Sequence, residues 1–319
     1  SHSVAIGHAA LGAQNFTTAT NSYNTAVGSN AGNAVTTGIQ NTLIGGLAGD
    51  TLTTGQENVA IGYSALDADT AGKGSIAIGV NSLGVQNFST ATYSNNVAIG
   101  HNSGASVTTG VQNTILGAYA GDALNTGTRN AVLGYAALSA DTKGSRSVAI
   151  GLSALLAQNF TTATDVYNTA VGAVAGASIT TGINNTLIGG LAGDALTDAD
   201  YNTAVGFEAL TTDVLGSRSV AIGFNALKTQ NPATAVDMYN VGVGFNAGQQ
   251  ITTGVNNTFV GGRAGDAISS GLQNVAVGKD ALGAGTDSQY NTAVGMIALG
   301  NADAGTSNTC IGYAAGANI

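Results

Sequence analysis

Carboxylates recur along this chain at a fixed interval: Asp50, Asp122, Asp194 and Asp266 each follow an Ala-Gly pair and stand 72 residues apart. A row of acids suggests calcium, but a calcium-binding nonapeptide roll needs dense Asp and Gly-Gly spacing in every turn, and that density is missing here. A glycosidase pair needs two carboxyl groups about 5 to 9.5 Å apart in a cleft. Asp194 and Glu208 could meet from adjacent turns of the chain, yet nothing interrupts the regularity to build a cleft around them. His2, His8 and His101 lack metal-ligand spacing, and no histidine lies beyond residue 101 to serve a nucleophilic triad elsewhere. Cys310 is the only cysteine, so there is neither a disulfide framework nor a multi-cysteine metal site, and it reads as a small core residue. The expectation is a chain that is no enzyme, with no catalytic residues, no metal and no cofactor.

Composition narrows the class. The 319 residues include 48 Gly, a single Pro and no Trp; only 8% are charged and the net charge is −9. The glycines lack the every-third-residue period of collagen, and 44% hydrophobic content argues for a folded chain. Eight scattered basic residues form no stripe that could neutralise phosphates, so nucleic acid is not an expected partner. No run of about 18 apolar residues occurs, so membrane insertion is not expected either. Ser1-His2 leads straight into a repeat, which marks the chain as a piece of a longer one.

The elements that would position these groups follow from an internal period. "NTLIGGLAGDTLTTGQE" at residue 41 returns as "NTILGAYAGDALNTGTR" at 113, "NTLIGGLAGDALTDADY" at 185 and "NTFVGGRAGDAISSGLQ" at 257. Aligning the Gly that closes each "NTAVG"-like phrase, from Gly7 and Gly28 to Gly295 and Gly312, gives eighteen coils spaced 21, 17, 17 and 17 residues before the cycle restarts. The repeats run 3–74, 75–146, 147–218 and 219–290, with a partial one at 291–319. A period near 20 residues is the mark of a solenoid, in which each coil hides its apolar side only against its neighbours. The fold expected is all-β: a parallel β-solenoid, of the β-roll or β-helix kind, running as one shaft from 1 to 319.

Each coil opens with Asn or Ser, continues through three strand residues and ends on Gly. The third strand residue is always a large aliphatic and the first is mostly Val or Thr, so both are assigned to the inward face and the middle one outward. The closing Gly marks a sharp turn at positive φ. Four residues beyond it the pattern runs Leu11, Gly32, Gly49, Leu66 and then repeats; three further on it inverts, with Val35 and Leu52 in the Gly coils and Gln14 and Asp69 in the Leu coils. Core volume is thereby held constant from coil to coil. The opening asparagines should stack into an axial amide ladder.

On this assignment Leu43, Ile115, Leu187 and Phe259, the bulky middle residues of every third coil, project outside roughly every 19 Å, at about 4.8 Å per coil. They are the expected inter-chain interface with further copies of the chain. The four extra residues of each long coil read as a polar projecting loop, with Asn15, Phe16, Asn87, Phe88, Asn159, Phe160 and Asn231 available for receptor contact. Asp67, Asp69, Asp141 and Asp213 share a coil phase with Lys73, Lys143, Arg146 and Arg218 and read as surface charge balance. Thr-Thr pairs at 36–37 and 53–54 raise ice binding, but only some coils carry them.

The phrases "NTAVGxxAG", "NVAIGYSAL" and "SVAIG" resemble the head repeats of trimeric autotransporter adhesins, left-handed parallel β-rolls in a tight homotrimer. The run "NTLIGGLAGDTLTTGQENVAIGYSAL" is still more similar to arrays in bacteriophage tail-fibre proteins. Coils of 17 or 21 residues are longer than the usual adhesin-head coil and leave room for a third short side. The resemblance implies a left-handed homotrimeric fibre, extracellular on a virion or a cell surface, binding itself and a host glycan or protein; eighteen coils at about 4.8 Å would make it about 85 Å long. Its function would be host attachment as a viral tail fibre, with a bacterial adhesin or filament as the alternative and an ice-binding solenoid or polysaccharide depolymerase further off.

Overall fold

The structure is a computed structural model, and it describes residues 2–300 and 305–317. The chain falls into two compact units, 1–166 and 167–319. Each unit is a parallel β-solenoid, and no helix occurs among the described residues.

In the first unit nine three-residue strands stack from Val4–Ile6 to Val148–Ile150; in the second, nine run from Thr169–Val171 to Thr309–Ile311. Register is kept position by position: Thr42, Leu43 and Ile44 lie opposite Val59, Ala60 and Ile61. A second side carries two-residue ladders where a long coil meets the coil before it. These are Gly72–Lys73 with Thr92–Tyr93, Gly144–Ser145 with Thr164–Asp165, and Gly216–Ser217 with Val236–Asp237.

Turns are made by left-handed backbone. Gly28 has φ of 141°, and a Cβ there would meet the carbonyl oxygen of Gly45 at 2.4 Å, so both conformation and stacking distance demand glycine. Two and four residues further on the backbone is left-handed again, even where the residue is Leu66, at 53°. Each such non-glycine residue costs about 1–2 kcal/mol, which the axial hydrogen bonds and the core must offset.

The amide ladder is present. Asn41 N–H donates to Asn24 Oδ1 at 2.9 Å, Asn58 N–H to Asn41 Oδ1 at 3.1 Å, and the Asn41 amide also donates to the Gly55 carbonyl at 2.9 Å. Where Ser75 replaces Asn, the long coil supplies Gln86 instead. Its Nε2 donates to Ser75 Oγ at 2.8 Å, and its Oε1 accepts from Asn96 Nδ2 at 2.8 Å, so the ladder continues through a borrowed amide.

The facing of the strands is the reverse of the sequence reading. Leu43, Ile115, Leu187 and Phe259 are 0% exposed, as is the alanine at the same place in most other coils. The middle strand residue points into the core, while the first and third point out. The core is thin: buried Ala or Ser of the turn faces this column, and only a small residue fits unless the turn retreats. It retreats in the Gly coils, where a Cβ on Gly32 would lie 2.5 Å from Leu43 Cδ1 and one on Gly49 2.9 Å from Leu43 Cδ2. The four bulky residues therefore fill space left by glycine and are not an inter-chain surface.

Candidate interaction surface

With the middle column inside, the first and third strand residues form the outer face. Across all eighteen strands these positions hold only Val, Ile, Leu, Thr or Ala. Within the first unit Ile44 and Ile99 are 37% exposed and Leu133 is 48%; within the second, Ile188 and Ile222 are 39%. The first column is Thr in nine strands and Val, Ile or Ala in the rest, while the third is aliphatic throughout, so the face is uncharged and more regular than the scattered apolar residues of an ordinary surface.

The position after the closing Gly extends this face with aromatic residues. Tyr63 and Tyr135 are exposed in the first unit. In the second, Phe207, Phe224 and Phe245 form a column, their rings stacked with centroids 5.9 and 5.4 Å apart. Period-two reasoning with the wrong face passed over both columns. The usable signal was the third strand position, aliphatic in every coil without exception.

The long-coil loops stay closer to the solenoid than expected. Phe88 and Phe160 are buried at 7% exposure, and Phe16, in the first coil, is half-buried. Phe88 folds onto the preceding coil, where its carbonyl accepts Thr70 Oγ1 at 2.8 Å and its N–H donates to Asp69 Oδ1 at 3.1 Å. Asn15, Asn87, Asn159 and Asn231 remain exposed. Asn87 and Asn159 accept hydrogen bonds from Thr70 and Thr142, both at 3.0 Å. What these loops offer to solvent is polar backbone and the tyrosine that follows, such as Tyr93, whose ring has Lys73 Nζ 5.5 Å from its centre.

Asp69, Asp141 and Asp213 are not surface charges. All three are fully buried, each accepting an N–H from the glycine three residues on (Gly72, Gly144, Gly216) and the amide of a glutamine from the next coil (Gln86, Gln158, Gln230). They fasten the long coil to its predecessor. The final repeat shows the same logic in reverse: the coil before Asn291 carries Gly285 in the Asp position, and the coil it precedes is short.

The 72-residue acid row lies elsewhere, at the turn edge. Desolvation by burial raises the pKa of Asp50, Asp122, Asp194 and Asp266, and in Asp50 the neighbouring carboxylate of Asp67 adds to the rise. Asp194 accepts Thr211 Oγ1 at 2.5 Å, and Glu208 is ion-paired with Lys228. No group of three or more His, Cys, Asp or Glu that could hold a metal occurs among the described residues. Arg263, Asp266, Asp280, Gly283, Ile297 and Gly300 line a groove in which Arg263 Nη2 lies 2.6 Å from Asp280 Oδ1.

The chemistry displayed is thus an aliphatic face bordered by aromatic rings, with polar loops on another side. No protein-family model, curated protein or solved structure gives a significant match to this chain.

Proposed function

We propose that this chain is the shaft segment of a homotrimeric attachment fibre of the bacteriophage tail-fibre kind. Its outer strand face is buried between three copies, and its polar loops face the host surface. The observation that carries the reading is the uncharged outer strand face, with an aliphatic residue at its third position in every coil. Leaving it in water forgoes about 25 cal/mol for each Å² of apolar area that burial would remove from solvent. A partner with the same axial period covers it at every coil, and another copy of the chain has that period by construction. The motif resemblance supports a trimer and host attachment; the polar, exposed Asn15, Asn87, Asn159 and Asn231 suit contact with a glycan.

Light scattering with sedimentation equilibrium tests the assembly: the expected mass is three times the 31.1 kDa of one chain. A monomer at every concentration overturns it. Attachment is tested separately, by whether the purified protein adsorbs to bacterial cells and blocks phage adsorption to them.

A further inference from the structure

Of the three buried aspartates, one is held differently. Asp69 Oδ1 accepts two N–H groups, from Gly72 at 3.0 Å and from Phe88 at 3.1 Å, and Asp141 Oδ1 accepts the same pair from Gly144 and Phe160 at 2.9 and 3.2 Å. At Asp213 the Gly216 N–H is kept at 2.8 Å, but the residue corresponding to Phe88 and Phe160 is Pro232, the only proline in the chain. Proline has no N–H to give. An equally buried carboxylate thus lacks one of its donors, and a charge out of water is stable only where hydrogen bonds replace hydration.

We propose that the Asp213–Pro232 junction is a pH-responsive fastening, tight when Asp213 is protonated and loosened when it ionises. The responding segment is the long-coil loop 231–239. It is tied down by the ladder between Gly216–Ser217 and Val236–Asp237 and by the Met238 N–H donating to the Ser217 carbonyl at 2.9 Å. The Asp213 carboxyl anchors the first residue of that ladder through Gly216, so strain at the carboxyl is passed directly to the loop. Around it, its own turn contributes the backbone N–H groups of Leu215 and Gly216, and the coil after contributes Gln230. The charged groups on the ladder, Arg218 and Asp237, pair with each other at 2.9 Å on the surface, with Tyr201 and Tyr239 beside the guanidinium, and Lys228 is paired with Glu208. None of them supplies a counter-charge to Asp213. In keeping with this geometry, burial pushes its pKa up to about 6, only partly opposed by the hydrogen bonds from Gln230, Gly216 and Leu215.

The sign follows from linkage. A carboxyl whose folded pKa lies above its unfolded value stabilises the fold fully below the unfolded pKa of 3.8, and that contribution is lost as pH rises through about 6. The test is hydrogen exchange by mass spectrometry on the intact protein at pH 5 and pH 7.5, corrected for intrinsic exchange. Protection of segment 231–239 should fall about tenfold over this range. The corresponding segments 87–95 and 159–167, whose carboxylates keep the extra N–H, should change much less. Pro232→Ala, which restores an N–H, should flatten the response of 231–239. A flat wild-type segment overturns the proposal, as does a pH response that survives Pro232→Ala unchanged.

Discussion

A methyl group placed on Gly265 would lie 2.4 Å from Cδ1 of Phe259. Backbone conformation alone does not explain that glycine: at the same phase Leu227, two coils back, and Leu282, in the next coil, hold side chains at φ of 47° and 51°, and Gly265 is at 60°. What excludes a side chain is the ring already filling the space. Gly265→Ala should therefore destabilise its coil by about 2–4 kcal/mol, combining overpacking with left-handed strain. Phe259→Ala alone should cost about 3–5 kcal/mol through the cavity it leaves. Together with Gly265→Leu, which rebuilds a Leu-type coil, Phe259→Ala should cost clearly less than the sum. Because solenoid stability is a sum over neighbours, exchange protection of the 257–273 coil is the measurement to use.

That relationship also marks how far the sequence could be read. Coil phase, the turn glycines, the amide ladder and the compensation of Leu by Gly are all periodic facts, and the structure bears them out. Orientation is different in kind. A period of two says that Val59 and Ile61 share a face; it does not say which face, and assigning the largest aliphatics to the interior inverted every strand. The tie-breaker was present in the co-occurrence of Leu43 with Gly32 and Gly49, since a bulky residue opposite glycine belongs in a core. Asp69 was misplaced because charge is the usual sign of a surface. Only its hydrogen-bonded partners in three dimensions make burial tolerable.

Gly242 extends the same compensation by one coil. It is the only glycine in the middle strand column, it lies opposite Phe259, and a Cβ there would meet Leu227 Cγ at 2.8 Å. Leu227 Cδ2 also approaches the Cβ position of Gly248 to 2.7 Å, closer than the 3.2 Å between Leu11 and Gly32 in the first repeat. Phe259 Cδ2 approaches the same Gly248 position to 2.6 Å, so ring and leucine share the space there, and Gly242 leaves room for Leu227 on the strand side. Gly242→Ala should cost about 1–3 kcal/mol in the native background and little beside Phe259→Leu. A double-mutant cycle read by urea denaturation gives the coupling, and additive costs would show that the two positions are independent.

Gln86 carries the ladder across the long coil and should be intolerant of truncation. Gln86→Ala strips one donor from buried Asp69, to which Nε2 donates at 2.7 Å, and removes one of the two acceptors of Asn96 Nδ2, at 2.8 Å, leaving only the Gly110 carbonyl at 2.7 Å. Losses of this kind cost about 1–3 kcal/mol each. Limited proteolysis should show earlier cleavage within 87–95 in the variant, while cleavage at the equivalent loop 159–167 stays unchanged.

Asp50 and Asp67 come from neighbouring coils, and burial, joined by the charge of Asp67, raises the pKa of Asp50; burial likewise raises that of Asp67. Both carboxylates are therefore less comfortable ionised in the fold than in the unfolded chain. Removing one charge by Asp67→Asn should make the first unit more stable at pH 7. The advantage should shrink as pH falls through the raised folded values toward 3.8, where the native pair is neutralised. Because both groups are partly solvated the gain is small, and thermal melts at pH 7 and pH 4 reveal it as a difference that narrows in acid.

The outer strand face and the core column make opposite predictions for substitutions one residue apart. Ile44 and Ile99 present their side chains to solvent in the single chain, whereas Leu43 is sealed between Gly32 and Gly49. Leu43→Lys buries an unpaired charge and should unfold its coils, with loss of exchange protection at the Asn41 and Asn58 amides. The pair Ile44→Lys and Ile99→Lys should leave the circular dichroism and the ladder's protection intact while reducing the assembly to single chains, because like charges then line the surface that three copies would share. If the lysine variant keeps the full assembled mass, another face joins the copies. If instead it loses its fold as Leu43→Lys does, the assignment of the strand faces is itself wrong, and the aliphatic column belongs inside after all.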